Sequence, residues 1–405
     1  SVYGNGKQVR SFCNVEDATK GLIHVIEEGK INTIYNIGNN KEPTSIYSLA
    51  QKILKFSNKK LKIKKISYNK SDRDKDREIF KRIPDLKKIK NDTNYEPKIN
   101  IDTGIKELLK KSNLNKKDEL KSKIGIGTLQ WGLKYGIANK KGKLSNQEIK
   151  KIKHLAKKNN IDFIDTANAY GDCEMRIGDL NFKEFNLITK LPATKPPTNI
   201  LKWVSSSIKH SLKKLKVSSL YCLHVHNTKY LLGKNGSKIY RGLLNAKKKG
   251  LIQKIGVSIY TVQELNKIIE KFKIDLVLLP FNIFDQRTIK YKTLEKLKSL
   301  NIEIHARSVF LQGLLTINKK KIPQKFNKYK KYFHNLDNLS KKLKKSKIEI
   351  CLKYALSNPL IDKVILGVDS SKQFQDLISK SGYIKINTKK LDASKEINLI
   401  NPSKW

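Results

Sequence analysis

Across the last two thirds of the chain, short apolar runs alternate with longer segments in which apolar residues recur every three to four positions. The runs are KIGIGTL (123–129), IDFIDTA (161–167), FNLITKL (185–191), SLYCLHVH (219–226), KIGVSIY (254–260), DLVLLPFN (275–282), IEIHARSVF (302–310) and KVILGV (363–368). Each is short and apolar enough to be a buried strand. Helical periodicity appears between them in SNQEIKKIKHLAKK (145–158), ILKWVSSSIKHSLKKL (200–215), TVQELNKIIEKF (261–272) and EICLKYALS (349–357). Eight strand–helix units predict an α/β fold of the (β/α)8 TIM-barrel type over residues 123–405. A doubly wound sheet would want a Gly-rich phosphate loop after its first strand, and GIGTLQWG does not supply G-x-G-x-x-G. The stretch NKKKIPQKFNKYKKYF (318–333) reads as a long irregular loop after the seventh strand.

Residues 1–112 form a separate, smaller α/β pattern. VEDATKGLIHVIEEG (15–29) and SIYSLAQKILKFS (45–57) read as helices, and TIYNIG (33–38) as a strand between them. The polar SNLNKKDELKSK stretch makes residues 113–122 a linker. The first lobe begins as if entered mid-domain.

Composition changes this picture little. The chain has 405 residues, 38% hydrophobic and 30% charged, enough for a large core. Its four cysteines are far apart, without metal or disulfide spacing, and read as reduced thiols of a cytoplasmic protein. No apolar run approaches the ~18–20 residues of a membrane helix, so no membrane role is expected. The net charge of +49 invites a nucleic-acid reading, but only eight of the 85 basic residues are Arg. Arg is the residue that forks onto phosphates and bases. The lysines run through every segment with abundant Asn and Ile, as a coding bias would leave them. The expectation is a solvated lysine surface and no nucleic-acid partner.

The chemistry is at the strand ends, where a TIM barrel keeps its reactive groups. Asp165, Lys190, His226, Ser258, Asn282 and Arg307 end successive strands, and Tyr170 follows Asp165 in a loop. Each alone has a plain explanation as a cap, a solvated charge or a satisfied core group. Together they make a device. A phenol is a poor acid, with a reference pKa near ~10, and a neighbouring ammonium lowers it. The ammonium needs a counter-ion inside a barrel mouth, which Asp165 can be. An imidazole from His226 can share the substrate oxygen with the phenol. His224, two residues earlier, points into the same interior and makes an HxH metal pair the rival reading. No third ligand has convincing spacing, so no metal is expected.

Residues 123 to about 385 resemble the aldo-keto reductases. The resemblance is carried by IGIGTLQWGLKYGI, FIDTANAYGDCEMRIG, ITKLP, LYCLHVHN, KIGVSIYT, LPFNIFDQR, HARSVFLQGLL and VILGVDSS. It implies that Tyr170 is the general acid, that Lys190 and Asp165 tune it, and that His226 orients a carbonyl. The last choice follows from His226 lying six residues past Leu220, where the family places its His. It also implies a cofactor, NADP or NAD. Ser258 stands where a family Ser meets the nicotinamide amide, with Ile259 replacing the usual Asn. Leu278 replaces a Gln, while Asn282 remains. Arg307 takes the place of the aromatic that stacks on the nicotinamide, and Ser308 and Gly313 fit the turn that holds pyrophosphate. Gly367 and Gln373 stand where the family often has Lys and Arg for the 2′-phosphate, which opens the door to NAD.

The first 112 residues resemble the carboxyl-terminal substrate-binding half of extended short-chain dehydrogenase/reductases that act on nucleotide sugars. The matching segments are VYGNGKQVRSFCNVEDATKGLIHVI, YNIGNN and KRIPDLKKIKNDTNYEPKINIDTGIKELL. The family's Rossmann half, with its Gly-rich loop and catalytic pair, is expected upstream. Arg10 and Arg82 match arginines that contact nucleotide phosphates, a task suited to guanidinium; the plain alternative for Arg10 is an ion pair with Glu16 or Asp17. The whole then reads as an oxidoreductase barrel that reduces a carbonyl or oxidises an alcohol on a small carbonyl or sugar-like substrate, fused behind a truncated epimerase/dehydratase lobe. The alternative is a barrel that binds or scaffolds without catalysing.

Overall fold

Eight short parallel strands close on themselves to build the larger part of the molecule. The computed structural model describes residues 2–57, 62–67, 78–112, 116–137, 139, 142–318 and 321–405. They fall into two compact units, Ser1–Asn115 and Lys116–Trp405.

In the second unit the strands are β1 (Ile124–Gly127), β2 (Phe163–Asp165), β3 (Asn186–Lys190), β4 (Leu220–Val225), β5 (Ile252–Ser258), β6 (Leu276–Pro280), β7 (Glu303–Arg307) and β8 (Lys363–Gly367). Each pairs with the next, and β8 pairs with β1 to close the ring. This is the TIM barrel expected from the alternation. Its helices start where local chemistry favours it. Ser145, Thr261 and Ser346 each cap a helix by accepting from the backbone N–H of a Glu three residues on. The apolar stripes of these helices face the strands; Ile149, Ile152 and Ala156 of the first are fully buried.

The amino end of the barrel is closed by a polar cluster. Tyr221 Oη donates to Glu303 at 2.7 Å, Lys254 Nζ bonds both Tyr221 and Glu303, and the His305 ring lies 2.7 Å from the other Glu303 oxygen. Burial would raise the Glu303 carboxyl, but the hydrogen bonds from His305, Lys254 and Tyr221 lower it to about 2. The reactive strand ends lie at the opposite, carboxyl end.

Three expectations need correction. Residues 116–122, read as linker, form the helix Lys116–Ser122. Asp118 and Glu119 sit in its first turn and Lys121 in its last, in line with the helix dipole, and Leu120 anchors it in the core. The lysine-rich stretch after β7 is largely ordered: a 3₁₀ segment, Gln324–Tyr329, leads into the helix Lys330–Leu343. Phe326, Tyr329, Phe333 and Leu336 are buried at helical spacing, and this stripe outweighs the surrounding lysines. Residues 33–38 form no strand; side chains take the place of a ladder. Tyr35 Oη donates to Asp92 and Asn36 Nδ2 to the Asp85 carbonyl, while Ile37 packs on Leu86, Ile89 and Tyr95.

The first unit contains the two expected helices, Val15–Glu28 and Ile46–Phe56, with a three-stranded sheet made of two-residue strands. Its apolar surface is poorly covered: Leu22, Ile26, Ile31 and Ile34 are all more than half exposed. Among the described residues, no helix is long and apolar enough to cross a membrane, and no group of three or more His, Cys, Asp or Glu is placed to hold a metal.

Candidate active site

A cavity of about 340 Å³ opens at the carboxyl ends of the strands. Asp165, Tyr170, Lys190, His226, Ser258, Arg307, Ser308, Gly313, Gly367 and Gln373 all line it. Ten of the eleven residues expected in the barrel site thus converge from different strands and loops on one space.

Asp165 and Lys190 are the last residues of β2 and β3. Lys190 Nζ donates to Asp165 Oδ1 at 2.6 Å and to the Thr166 carbonyl at 2.7 Å, with side-chain exposures of only 2% and 6% for the pair. Burial alone would strip the proton from Lys190. The Asp165 charge, the nearby phenol and the hydrogen bond outweigh burial, and the ammonium is held above its ordinary range.

Tyr170 is brought in by the loop after β2. Its amide donates to the Ala167 carbonyl, and Gly171 follows at φ +61°, a backbone conformation that glycine adopts without strain. The Tyr170 carbonyl packs so close to Gly132 that a Cβ there would sit 1.7 Å from it. Glu174, buried in the next helix, ties the loop to β3 by accepting from Thr189 at 2.7 Å. The loop is therefore fixed, and the Lys190 ammonium lies 5.3 Å from the Tyr170 ring centre. The expected net lowering of the phenol does not occur. Burial pushes Tyr170 up, Lys190 pulls it down, Asp165 pushes it up again, and the sum lies above the ordinary value. Tyr170 holds its proton at neutral pH. Among the described residues, no hydrogen bond occupies its hydroxyl.

His226 follows β4 and meets the Tyr170 ring edge-on, centroids 6.4 Å apart. Burial, then Lys190 and Arg307, push it down to about 4, so it is a neutral imidazole. His224 is fully buried behind it, beside Lys190 in the β3–β4 register, and does not line the cavity.

Asn282 is the exception. It lies past the end of β6 and outside the cavity lining. Its Nδ2 donates to the Ser308 carbonyl at 3.1 Å, and its Oδ1 accepts from the amides of Phe284 and Asp285. Those bonds spend the side chain on holding the loop after β7. That loop is unusual: Ser308, Leu311 and Gln312 all have positive φ near +50 to +60°, and Gly313 follows at +88°. Clustered left-handed residues of this kind mark functional loops and make anion-binding concavities. Arg307 enters beside them, stacked on Tyr260 at 4.4 Å, with its buried Nε unpartnered. An unpartnered guanidinium nitrogen and a left-handed loop in one lining fit a dinucleotide with its pyrophosphate.

Other lining residues lay outside the sequence reading: Gln130, Tyr135, Tyr260, Gln312, Asp369 and Asp376. Tyr260 lies two residues past the end of β5 and was within reach of the strand-end rule; the rest lie on loops and helix faces that no periodicity marks.

Residues 123–399 match the family model described as the aldo/keto reductase family. The chain belongs to the aldo-keto reductase family. Two solved structures share the fold: a glycerol dehydrogenase from Gluconobacter oxydans and an aldo-keto reductase from Bacillus halodurans in its holo form. The first is 19% identical, covers 69% of this chain and 92% of that one, and has a TM-score of 0.53. The second is 14% identical, covers 70% and 95%, and has a TM-score of 0.55. Residues 1–108 match a second family model, described as GDP-mannose 4,6 dehydratase. A UDP-N-acetyl-alpha-D-glucosaminuronate decarboxylase from Bacillus cytotoxicus is 34% identical over 108 residues, 27% of this chain. The chain spans about a third, 33%, of that relative's length.

In the first unit, Arg10 and Arg82 face each other as register partners on neighbouring parallel strands. Arg10 is paired with Glu78 at 2.7 Å, rather than with Glu16 or Asp17, and Arg82 is exposed. Asp17 instead accepts from the amides of Lys98 and Ile99.

Proposed function

We propose that the barrel is a nicotinamide-dependent oxidoreductase that reduces the carbonyl group of a sugar-like small molecule. The observation that carries this reading is the buried Asp165–Lys190 pair set against a phenol whose hydroxyl no described residue engages. When bound, NADH or NADPH supplies the hydride to the carbonyl carbon. The π electron pair then moves to the oxygen, and Tyr170 gives that oxygen its proton. Lys190 stabilises the phenolate left behind, and Asp165 keeps Lys190 charged. Neutral His226 offers one N–H to the same oxygen and orients it. The products are an alcohol and the oxidised cofactor, and the phenolate regains its proton from water.

Ser258, Arg307, Ser308 and Gly313 are the residues that would hold the cofactor. Gly367 and Gln373 offer no cation for a 2′-phosphate, and the charged neighbours in that lining are Asp369 and Asp376. This favours NADH over NADPH. Exposed Tyr135 and Tyr260 at the mouth suit the apolar face of a sugar ring.

The first lobe, residues 1–112, is read as the substrate-binding part of a nucleotide-sugar epimerase or dehydratase, with the adjacent Arg10 and Arg82 as its phosphate contacts. The fusion supports a sugar-linked pathway, in the cytoplasm. A barrel that only binds is the second reading, favoured by Ile259 and Leu278 at expected cofactor positions. Consumption of NADH or NADPH with a panel of aldehydes and aldoses decides between them. The wild type is expected to turn over, and Tyr170→Phe to lose about 10²–10⁴-fold in kcat with cofactor binding intact. Full turnover by Tyr170→Phe would remove Tyr170 from the mechanism.

A further inference from the structure

We propose that Arg307 makes the barrel hold a reduced nicotinamide more tightly than an oxidised one. The inference rests on the reductase reading above and concerns which redox form of the cofactor that site prefers.

Among the described residues, the cavity is lined by two cations, Lys190 and Arg307, and by three carboxylates, Asp165, Asp369 and Asp376. Asp165 neutralises Lys190, and Asp376 is paired with Lys380 at 2.6 Å. Asp369 stands at the Gln373 end, where its amide donates to the Gln373 side chain. Among the described residues, Arg307 is bound to uncharged groups. Nη2 donates to the Ile259 carbonyl at 2.8 Å, Nη1 to Ser308 Oγ at 3.2 Å, and the guanidinium plane covers the Tyr260 ring. Among the described residues, no carboxylate comes within 4.0 Å of Arg307 to form a salt bridge. A guanidinium keeps its charge at every working pH. The Arg307 charge therefore has no salt-bridge partner among the described residues, and its field reaches both Tyr170 and His226.

Reduced and oxidised nicotinamide dinucleotides share every group except the pyridine ring, which is neutral in one and carries a unit positive charge in the other. Tyr170 can protonate a carbonyl oxygen only if the hydride donor faces the adjoining carbon, so the ring must share this cavity with Arg307. Two like charges in one partly desolvated space repel. In a partly desolvated space with an effective dielectric of about 20, this repulsion is expected to be worth about tenfold in affinity. An aromatic at position 307 would act in the opposite sense, because a ring face attracts a cation.

The test is calorimetric titration of the full chain with NADH and with NAD⁺, for the wild type, Arg307→Gln and Arg307→Lys. The ratio of the two dissociation constants isolates the ring charge, because the shared groups cancel. The wild type is expected to favour NADH by about tenfold, Arg307→Gln to lose most of that preference, and Arg307→Lys to keep it. Should Arg307→Gln fail to fold, Arg307→Tyr makes the same comparison, and rising salt should shrink the wild-type ratio. Equal affinities in the wild type, or a ratio that the loss of charge leaves unchanged, would overturn the proposal. Binding of neither form would overturn the reductase reading and this inference with it.

Discussion

Replacing Asp165 by Asn keeps the shape of the side chain and removes the charge that holds Lys190. The ammonium would be left buried, 2% exposed, with neutral oxygens, the Asn Oδ1 and the Thr166 carbonyl, in place of a charged partner. Breaking a buried ion pair from one side costs about 3–5 kcal/mol. The cost should depend on pH in a defined direction. In the wild type Lys190 is held above its ordinary value of 10.5, so its contribution is complete below that value and is lost only as pH rises through the folded-state value. In Asp165→Asn the raising partner is gone and burial takes over, which places the folded value below the unfolded one. The penalty is then full at neutral pH and shrinks as pH rises toward ~10. Denaturant unfolding at pH ~7 and ~9.5, followed by tryptophan fluorescence, measures it. Trp131, Trp203 and Trp405 all lie in the second unit, so the signal reports the barrel alone. Equal stability of variant and wild type at neutral pH, or a gap that does not narrow with pH, would refute the electrostatic role given to the pair.

Two further predictions follow from other groups. His226 is held near 4 by burial, Lys190 and Arg307, so it stays neutral through mildly acid pH; the pH profile of kcat/KM should show no limb near ~6.5 and should fall only toward pH 4. Glu303→Gln should cost about 1–3 kcal/mol at neutral pH through its charged hydrogen bonds to Lys254, Tyr221 and His305. Because Glu303 is lowered to about 2 in the fold, its contribution is present above the ordinary carboxylate value and is lost as pH falls toward 2. The gap between wild-type and Glu303→Gln unfolding midpoints should therefore be smaller at pH ~3 than at pH ~7, and the KM for cofactor should not move, since the cluster closes the far end of the barrel.

The barrel was legible because its strands are buried runs of nearly uniform length, and its helices carry both an apolar stripe and their own caps. Asp165, Tyr170, Lys190 and His226 were legible for the same reason: strand ends fix where a side chain emerges. Asn282 shows where that logic stops. It keeps the parity of Leu278, which does line the cavity, but β6 ends at Pro280 and the chain turns before the alternation can aim residue 282 inward. Tyr170's upward shift was hidden because the sequence names its charged neighbours but not how deeply the ring is buried. In the first unit the two-residue strands are too short to leave a periodic signal, and TIYNIG looked like a strand only because nothing in it reveals the absence of a pairing edge. The lysine-rich stretch before residue 343 misled by composition; its apolar stripe was present at Phe326, Tyr329, Phe333 and Leu336.

The central claim is that this barrel holds a nicotinamide dinucleotide against Tyr170. Titration of the full chain with NADH and with NADPH, read by calorimetry because Trp131 is packed on Phe182 rather than in the cavity, tests it most directly. The account predicts micromolar binding, tighter for NADH because Gly367 and Gln373 offer nothing to a 2′-phosphate. A folded protein that binds neither would contradict it and leave the barrel as a binding module.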